Sequence, residues 1–251
     1  MSKNRPIVLT IAGFDPSAGA GILSDIKTFE QHQVYGLAIN TGNTIQTENH
    51  FYEMHWTDLD FVLRSIKMLF EKHDIKGVKI GIIPSLTYLK SIVQEIKTLS
   101  PKTIIIWDTI LKSSTDFTFI SIDNKSTFIE VIRNIDLITP NYIELSKLSQ
   151  NGISATKTAQ KLSKYCPVLL KGGHRSELKG IDELYLNGEV IKIIPKTSSI
   201  QEKHGSGCVL SAAILANIAL KYDLTSACTN AKIYIEKFLN SNNTLLGYHY
   251  V

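Results

Sequence analysis

Short apolar runs of strand length alternate along this chain with segments of helical spacing, and that alternation admits few folds. Residues 6–12 read as a buried strand, followed by a Gly/Ala/Ser loop and a helix over about 20–33. Further strands are expected at 37–45, 77–83, 103–107, 135–139 and 168–170. Helices are expected at 58–73, 86–99, 143–150, 155–165, 207–221 and 225–238. Asn187-Gly188, between the apolar runs 182–186 and 190–194, predicts a hairpin. Short buried strands separated by helices predict a mainly parallel sheet covered on both faces, with the late hairpin as an antiparallel margin. No repeat, low-complexity linker or composition break divides the 251 residues, so one α/β domain over 1–251 is the simplest organisation.

Several function classes are excluded early. No apolar run approaches the ~18 residues that a membrane span needs. The first residues, Met1-Ser2-Lys3-Asn4-Arg5, lack a cleavage pattern and are expected to belong to the mature protein. The net charge is +4, but the lysines are scattered, without the basic tract and interleaved aromatics of a nucleic-acid surface. Cys166, Cys208 and Cys228 are odd in number and form no C-x-x-C pair, which argues against a disulfide framework or a zinc site and for a reducing cytoplasm.

Ligands of open α/β sheets bind at the carboxyl ends of the strands, so the polar and glycine residues there are the candidates. His204-Gly205-Ser206-Gly207-Cys208 precedes an apolar helical run. A glycine-small-glycine turn opening a helix makes an anion site from free N–H groups and the helix dipole. A thiol at a helix mouth is expected to have a lowered pKa, against the alternative of a cysteine packed as a small hydrophobe. Cys166 and Cys228 have no such setting and are assigned to the core. The loop from Asp15 to Gly21 is either a tight strand-to-helix connection or the wall of a pocket for a small flat substrate. Lys171-Gly172-Gly173 suits a point-charge contact to phosphate, against a surface lysine before a turn. Asn141 and Glu144 offer oxygen ligands to a hydrated magnesium ion, or form a helix cap. Asp108 is catalytic, metal-linked or a cap, and His174 and His204 are candidate phosphate contacts.

Taken in order, IAGFDPSAGAG, SDIKTFE, Gln46, VKIGI, WDTIL, LITPNYIEL, LLKGGH and HGSGCVLSAA resemble the hydroxymethylpyrimidine/phosphomethylpyrimidine kinases of thiamine biosynthesis, a branch of the ribokinase-like fold. The resemblance runs from about residue 7 to 238. It implies a three-layer α/β/α sandwich and transfer of phosphate from ATP, with magnesium, to 4-amino-5-hydroxymethyl-2-methylpyrimidine and then to its monophosphate. By the same resemblance, Gln46 would hydrogen-bond the pyrimidine, and Gly13, Asp25 and Ile82 would line its pocket. Asn141, Glu144 and Asp108 would order magnesium and its waters. Lys171, with Gly172, His174, Asn141 and Ser206, would meet the nucleotide. Gly205, Ser206 and Gly207 would form the anion hole, and Cys208 would stand where sugar-kinase relatives carry a catalytic aspartate, as base or as a group orienting the hydroxyl. A homodimer is also implied.

The chain departs from the family pattern at Ala18, Ser206, Phe14 and Ile82, and matches poorly over 112–117. Rival readings are a pyridoxal or pyridoxine kinase of the same fold, a cysteine-nucleophile enzyme, and a pyrimidine-binding regulator without catalysis.

Overall fold

The computed structural model describes residues 4–111, 119–120, 124–148, 153–173, 180–197 and 201–250. Its centre is a nine-stranded sheet. The strands in chain order are β1 (Ile7–Phe14), β2 (Tyr35–Gln46), β3 (Phe51–Trp56), β4 (Ile75–Ile80), β5 (Ile104–Trp107), β6 (Leu137–Ile138), β7 (Val168–Leu170), β8 (Asp182–Leu186) and β9 (Glu189–Ile193). Their spatial order is β3-β2-β1-β4-β5-β6-β7-β8-β9. The run from β2 to β7 is parallel, while β3 at one margin and β8–β9 at the other are antiparallel. The expected hairpin is present, and its turn residues Asn187 and Gly188 have φ of 52° and 84°, as a two-residue turn requires.

Side-chain alternation divides the core into two layers. Leu9, Ile11, Ile105, Ile138, Val168 and Leu170 face one layer, and Val8, Ile106, Leu137 and Leu169 face the other. The first layer is covered by α2 (Leu59–Lys72), α3 (Leu86–Leu99), α4 (Lys125–Ile132), α5 (Tyr142–Leu148) and α6 (Ala155–Leu162). The second is covered by α1 (Gly21–Gln31), α7 (Ser206–Ala219) and α8 (Leu224–Leu239). The expected three-layer α/β/α architecture is therefore present. β3 and α4 are additions to the expected elements.

Helix starts fall into two groups. Asp58, Ser85, Asn124, Ser154 and Asp223 each accept a backbone N–H in the first turn of α2, α3, α4, α6 and α8. α1 and α7 begin at Ala20 and Gly205 with no side-chain cap. Both open at the carboxyl edge of the sheet, so their first amides are left for other partners. α7 is buried nearly all round, from Cys208 to Ala219, between the sheet and its neighbouring helices. That packing fixes where its N-terminus lies.

The chain ends by folding back along α1 and α8. His249 Nδ1 meets Tyr234 Oη at 3.1 Å and Thr28 Oγ1 at 3.4 Å. Burial, with Lys27 and His32 nearby, pushes its pKa down to about 4. A histidine titrates near 6.5 when unfolded, so between about pH 6.5 and 4 the unfolded chain binds the extra proton. The contribution is whole above that window and is lost as pH falls through it. Allowing for partial exposure, we expect a loss of about 1–2 kcal/mol from this group. Urea unfolding at pH 7.0 and 5.0 checks this: His249→Asn should reduce the acid loss by that amount, and an unchanged acid loss would contradict it.

Candidate active site

Chain order reverses in the sheet between β1 and β4, which places a crevice beyond their carboxyl ends. The tips of neighbouring strands deliver the candidate residues there. Gly13 pairs with Gly42 at the end of β1, and a Cβ placed on Gly13 would lie 2.4 Å from Ile82 Cδ1. Ile82 therefore covers Gly13. Beyond β6 and β7, Asn141 and Lys171 form a parallel bridge, with Lys171 N donating to Pro140 O at 2.9 Å.

Lys171 Nζ donates to Asp108 Oδ1 at 2.9 Å, and Thr139 Oγ1 donates to the same oxygen at 3.0 Å. Ser211 Oγ, one turn into α7, donates to Asp108 Oδ2 at 3.3 Å. Burial alone would raise the Asp108 carboxyl, but Lys171 and Lys79 outweigh it and hold the group below the usual carboxylate range. A Cβ on Gly207 would lie 3.2 Å from Lys171 Nζ and 3.7 Å from Asp108 Oδ2. The glycine turn, the lysine and the aspartate thus share one corner. Gly205 enters α7 at φ 74°, and a Cβ there would lie 1.9 Å from Gly19 O.

Several expectations are corrected. Cys208 stands in the first turn of α7, beside the corner, but its thiol is not an activated thiolate. Burial pushes it up to about 11, although Lys79 and the Gly21 N–H oppose that; desolvation outweighs the helix end. Asp25 does not face an open pocket. Its side chain is fully buried, bonded by Lys79 Nζ at 2.8 and 2.7 Å and by Thr10 Oγ1 at 2.6 Å, one layer below the site. Gly172 is buried with its N–H given to Asp182 Oδ1 at 2.8 Å, so that amide is already engaged. Lys232 of α8 holds the same aspartate through Oδ2 at 2.8 Å.

Asn141 and Glu144 form a reciprocal capping box. Glu144 N donates to Asn141 Oδ1 at 2.8 Å, and Asn141 N donates to Glu144 Oε2 at 2.6 Å. Burial pushes the Glu144 carboxyl up to about 7, against the pull of Lys171. Among the described residues no group of three or more His, Cys, Asp or Glu is gathered as a direct metal cage.

Gln46 is half-buried at the far end of β2, opposite Phe51. From Gly42 to Gln46 the strand advances roughly 13 Å, so the β2–β3 hairpin rises beyond the crevice floor. Phe119, in the loop after β5, packs edge-on against Phe51 and Trp56 of β3, at 5.5 and 6.3 Å between ring centres. Because β1 and β4 lie between β2 and β5, these aromatic contacts span the ends of both strands. His204 gives Nε2 to Asp15 Oδ2 at 2.8 Å instead of facing a phosphate position, and His174 lies outside the described residues.

Sequence reasoning missed Lys79 and Asp15. Lys79 is fully buried, and Asp25, Cys208 and Asp108 raise its pKa against its burial. Its signal was a lysine in the middle of an apolar strand, which a two-face-buried strand cannot hold unpaired.

An uncapped helix start beside a lysine, at the carboxyl ends of an α/β sheet, is a setting that suits an anion such as a phosphoryl group. The family model described as phosphomethylpyrimidine kinase matches residues 15–250. The hydroxymethylpyrimidine/phosphomethylpyrimidine kinase of Aquifex aeolicus is 35% identical over 96% of this chain and 98% of its own. A phosphomethylpyrimidine kinase structure from Clostridium difficile is 28% identical, with a TM-score of 0.76 over 92% of this chain and 98% of that one. The pyridoxal kinase of Staphylococcus aureus shares the fold, with a TM-score of 0.84 over 98% of this chain and 93% of that one, at 22% identity. The chain belongs to the phosphomethylpyrimidine kinase family.

Proposed function

We propose that this protein transfers the γ-phosphoryl group of ATP to the hydroxymethyl oxygen of 4-amino-5-hydroxymethyl-2-methylpyrimidine, and then to the monophosphate formed, in the cytoplasmic synthesis of thiamine. The observation that carries the reading is the corner where Gly207 meets Lys171 and Asp108, in a chain of this family. The pyrimidine lies between Gly13–Ile82 and the β2–β3 hairpin, with Gln46 at its edge. A side-chain amide both donates and accepts, which matches a ring nitrogen beside an exocyclic amine.

Phosphoryl transfer has a loose transition state, so catalysis is chiefly positioning and charge stabilisation. The hydroxymethyl oxygen bonds to the γ-phosphorus as the bond to the bridging oxygen breaks, and ADP leaves. The amides of residues 205–208 and the Lys171 ammonium hold the transferring oxygens. The alcohol proton departs late, onto a phosphoryl oxygen, so a thiol that stays protonated suffices at Cys208 to orient the hydroxyl. Lys79 and Asp25, paired with each other, act on that thiol only electrostatically and in opposite directions.

Asp108, Asn141 and Glu144 suit magnesium held through water, because all are oxygen donors and Lys171, the cation that acts on the buried Glu144 carboxyl, is itself bonded to Asp108. The ion, when bound, supplies positive charge to the phosphates. We also assign a homodimer to the β2–β3 margin, where β3 is an edge strand and Ile45 and Tyr52 are 56% and 65% exposed.

Gln46→Ala tests the pyrimidine assignment. By calorimetry it should weaken pyrimidine binding by about tenfold or more, the cost of leaving polar groups unpaired, with ATP affinity kept within about twofold. Equal loss for both ligands would contradict direct pairing.

A further inference from the structure

The loop that opens α7 is held by two segments far from it in sequence. From one side, the Asp15 carboxylate accepts Ser17 N at 2.9 Å, Ala20 N at 2.8 Å and His204 Nε2 at 2.8 Å. The bonds from His204, Ser17 and Ala20 outweigh burial and keep the carboxyl below its usual range, so it is an acceptor and His204 Nε2 carries the proton. From the other side comes the chain after α8. His204 N donates to Leu245 O at 2.9 Å, and Lys203 Nζ donates to Asn242 O and Thr244 O, both at 2.6 Å.

The three segments are also in steric contact. A Cβ on Gly19 would lie 2.6 Å from His204 Cδ2 and 3.1 Å from Leu246 Cδ2, and one on Gly205 would strike Gly19 O. The His204 ring is thus wedged between the 15–20 loop and the C-terminal segment. Its other nitrogen, Nδ1, is buried without a partner among the described residues, so the Asp15 bond is what orients the ring. The next residue, Gly205, is the left-handed entry to a helix with no side-chain cap. Where the first-turn amides point therefore depends on how residues 203 and 204 are held.

We propose that His204 is a positioning residue for phosphoryl transfer: clamped by Asp15 and by the C-terminal segment through Lys203, it sets the orientation of the Gly205–Cys208 amides. His204 touches neither nucleotide nor pyrimidine. The clamp acts on alignment and not on occupancy, so its loss lowers kcat and leaves KM little changed. This rests on the assignment of the α7 start as the seat of the transferred phosphoryl group.

The test uses the full-length chain with His204→Ala, His204→Gln and Lys203→Met. His204→Ala should lower kcat by about 30- to 100-fold, the scale of a misalignment near 1 Å, with both KM values within about threefold. His204→Gln keeps a donor toward Asp15 and should restore at least about tenfold of that loss. Lys203→Met should lower kcat in the same direction, and it carries the test together with His204→Gln if His204→Ala does not fold. In hydrogen exchange, the alanine variant should exchange faster at amides 205–209 and 16–20 and at an unchanged rate in α3. A folded His204→Ala with kcat within about threefold of wild type would overturn the proposal. So would a glutamine variant as slow as alanine, or unchanged exchange at 205–209. If the wild type phosphorylates no pyrimidine, the functional reading fails, and the exchange result alone decides the clamp.

Discussion

Lys171→Met is expected to lower kcat by about 10²- to 10³-fold, the scale seen when one preorganised donor to a transition-state oxyanion is lost. The ammonium is 2.9 Å from Asp108 Oδ1 and next to the backbone of Gly207, so it balances a buried carboxylate and faces the phosphoryl seat at once. Its removal leaves Asp108 with Lys79, Thr139 and Ser211 as remaining partners. Stability should therefore fall as well, by about 3 kcal/mol, as when one partner of a buried ion pair is deleted. Lys171→Arg separates the two effects. It keeps the charge near Asp108 and most of the stability, but its planar fork is a poor substitute for a point charge in that corner. Initial rates of ADP release and urea unfolding read the two quantities. A Lys171→Met enzyme with kcat within about threefold of wild type would remove the lysine from the mechanism.

Gly205→Ala is the second large effect. A side chain at φ 74° is strained, and its Cβ would lie 1.9 Å from Gly19 O, a backbone atom that cannot rotate away. Either the 15–20 loop or the first turn of α7 must move by more than an ångström. Misplacement on that scale costs about 10²-fold in rate. Because α7 is anchored along its length by buried residues, the damage should stay at its N-terminus. The variant is expected to fold with near-native circular dichroism and lose about 10²-fold in kcat. Wild-type kcat in Gly205→Ala would show that the anion hole lies elsewhere.

The sheet was largely legible in the sequence because its central strands are buried on both faces. Such strands appear as continuous β-branched runs, as in Ile104-Ile105-Ile106. β3 was harder to read: Tyr52, Met54 and Trp56 alternate as a strand should, but the segment is a short edge strand whose Tyr52, Glu53 and His55 are exposed, so no buried apolar run marks it. α4 did leave a signal, an Asn124 cap followed by Phe128, Val131 and Ile132 at helical spacing, beside a stretch that matches its family poorly. The site was legible as a set of strand ends, because the topology brings those ends together whatever the side chains do. Its pairings were not. His204 and Asp15 are 189 residues apart, and Lys79 meets Asp25 across 54. The Cys208 thiol shows the limit of local reasoning most clearly. A helix start lowers a thiol's pKa, but burial among Lys79, Asp25 and Asp108 is a tertiary fact, and its net effect is upward.

The central claim is that the corner at the start of α7 moves phosphate from ATP to a hydroxymethyl group on an aminopyrimidine. Steady-state ADP formation, with magnesium and with the free pyrimidine, its monophosphate and pyridoxal supplied in parallel, tests it most directly. The account predicts turnover of both pyrimidines, with kcat/KM for the free pyrimidine at least about tenfold above that for pyridoxal. Turnover of pyridoxal alone, or of none of the three, would contradict it.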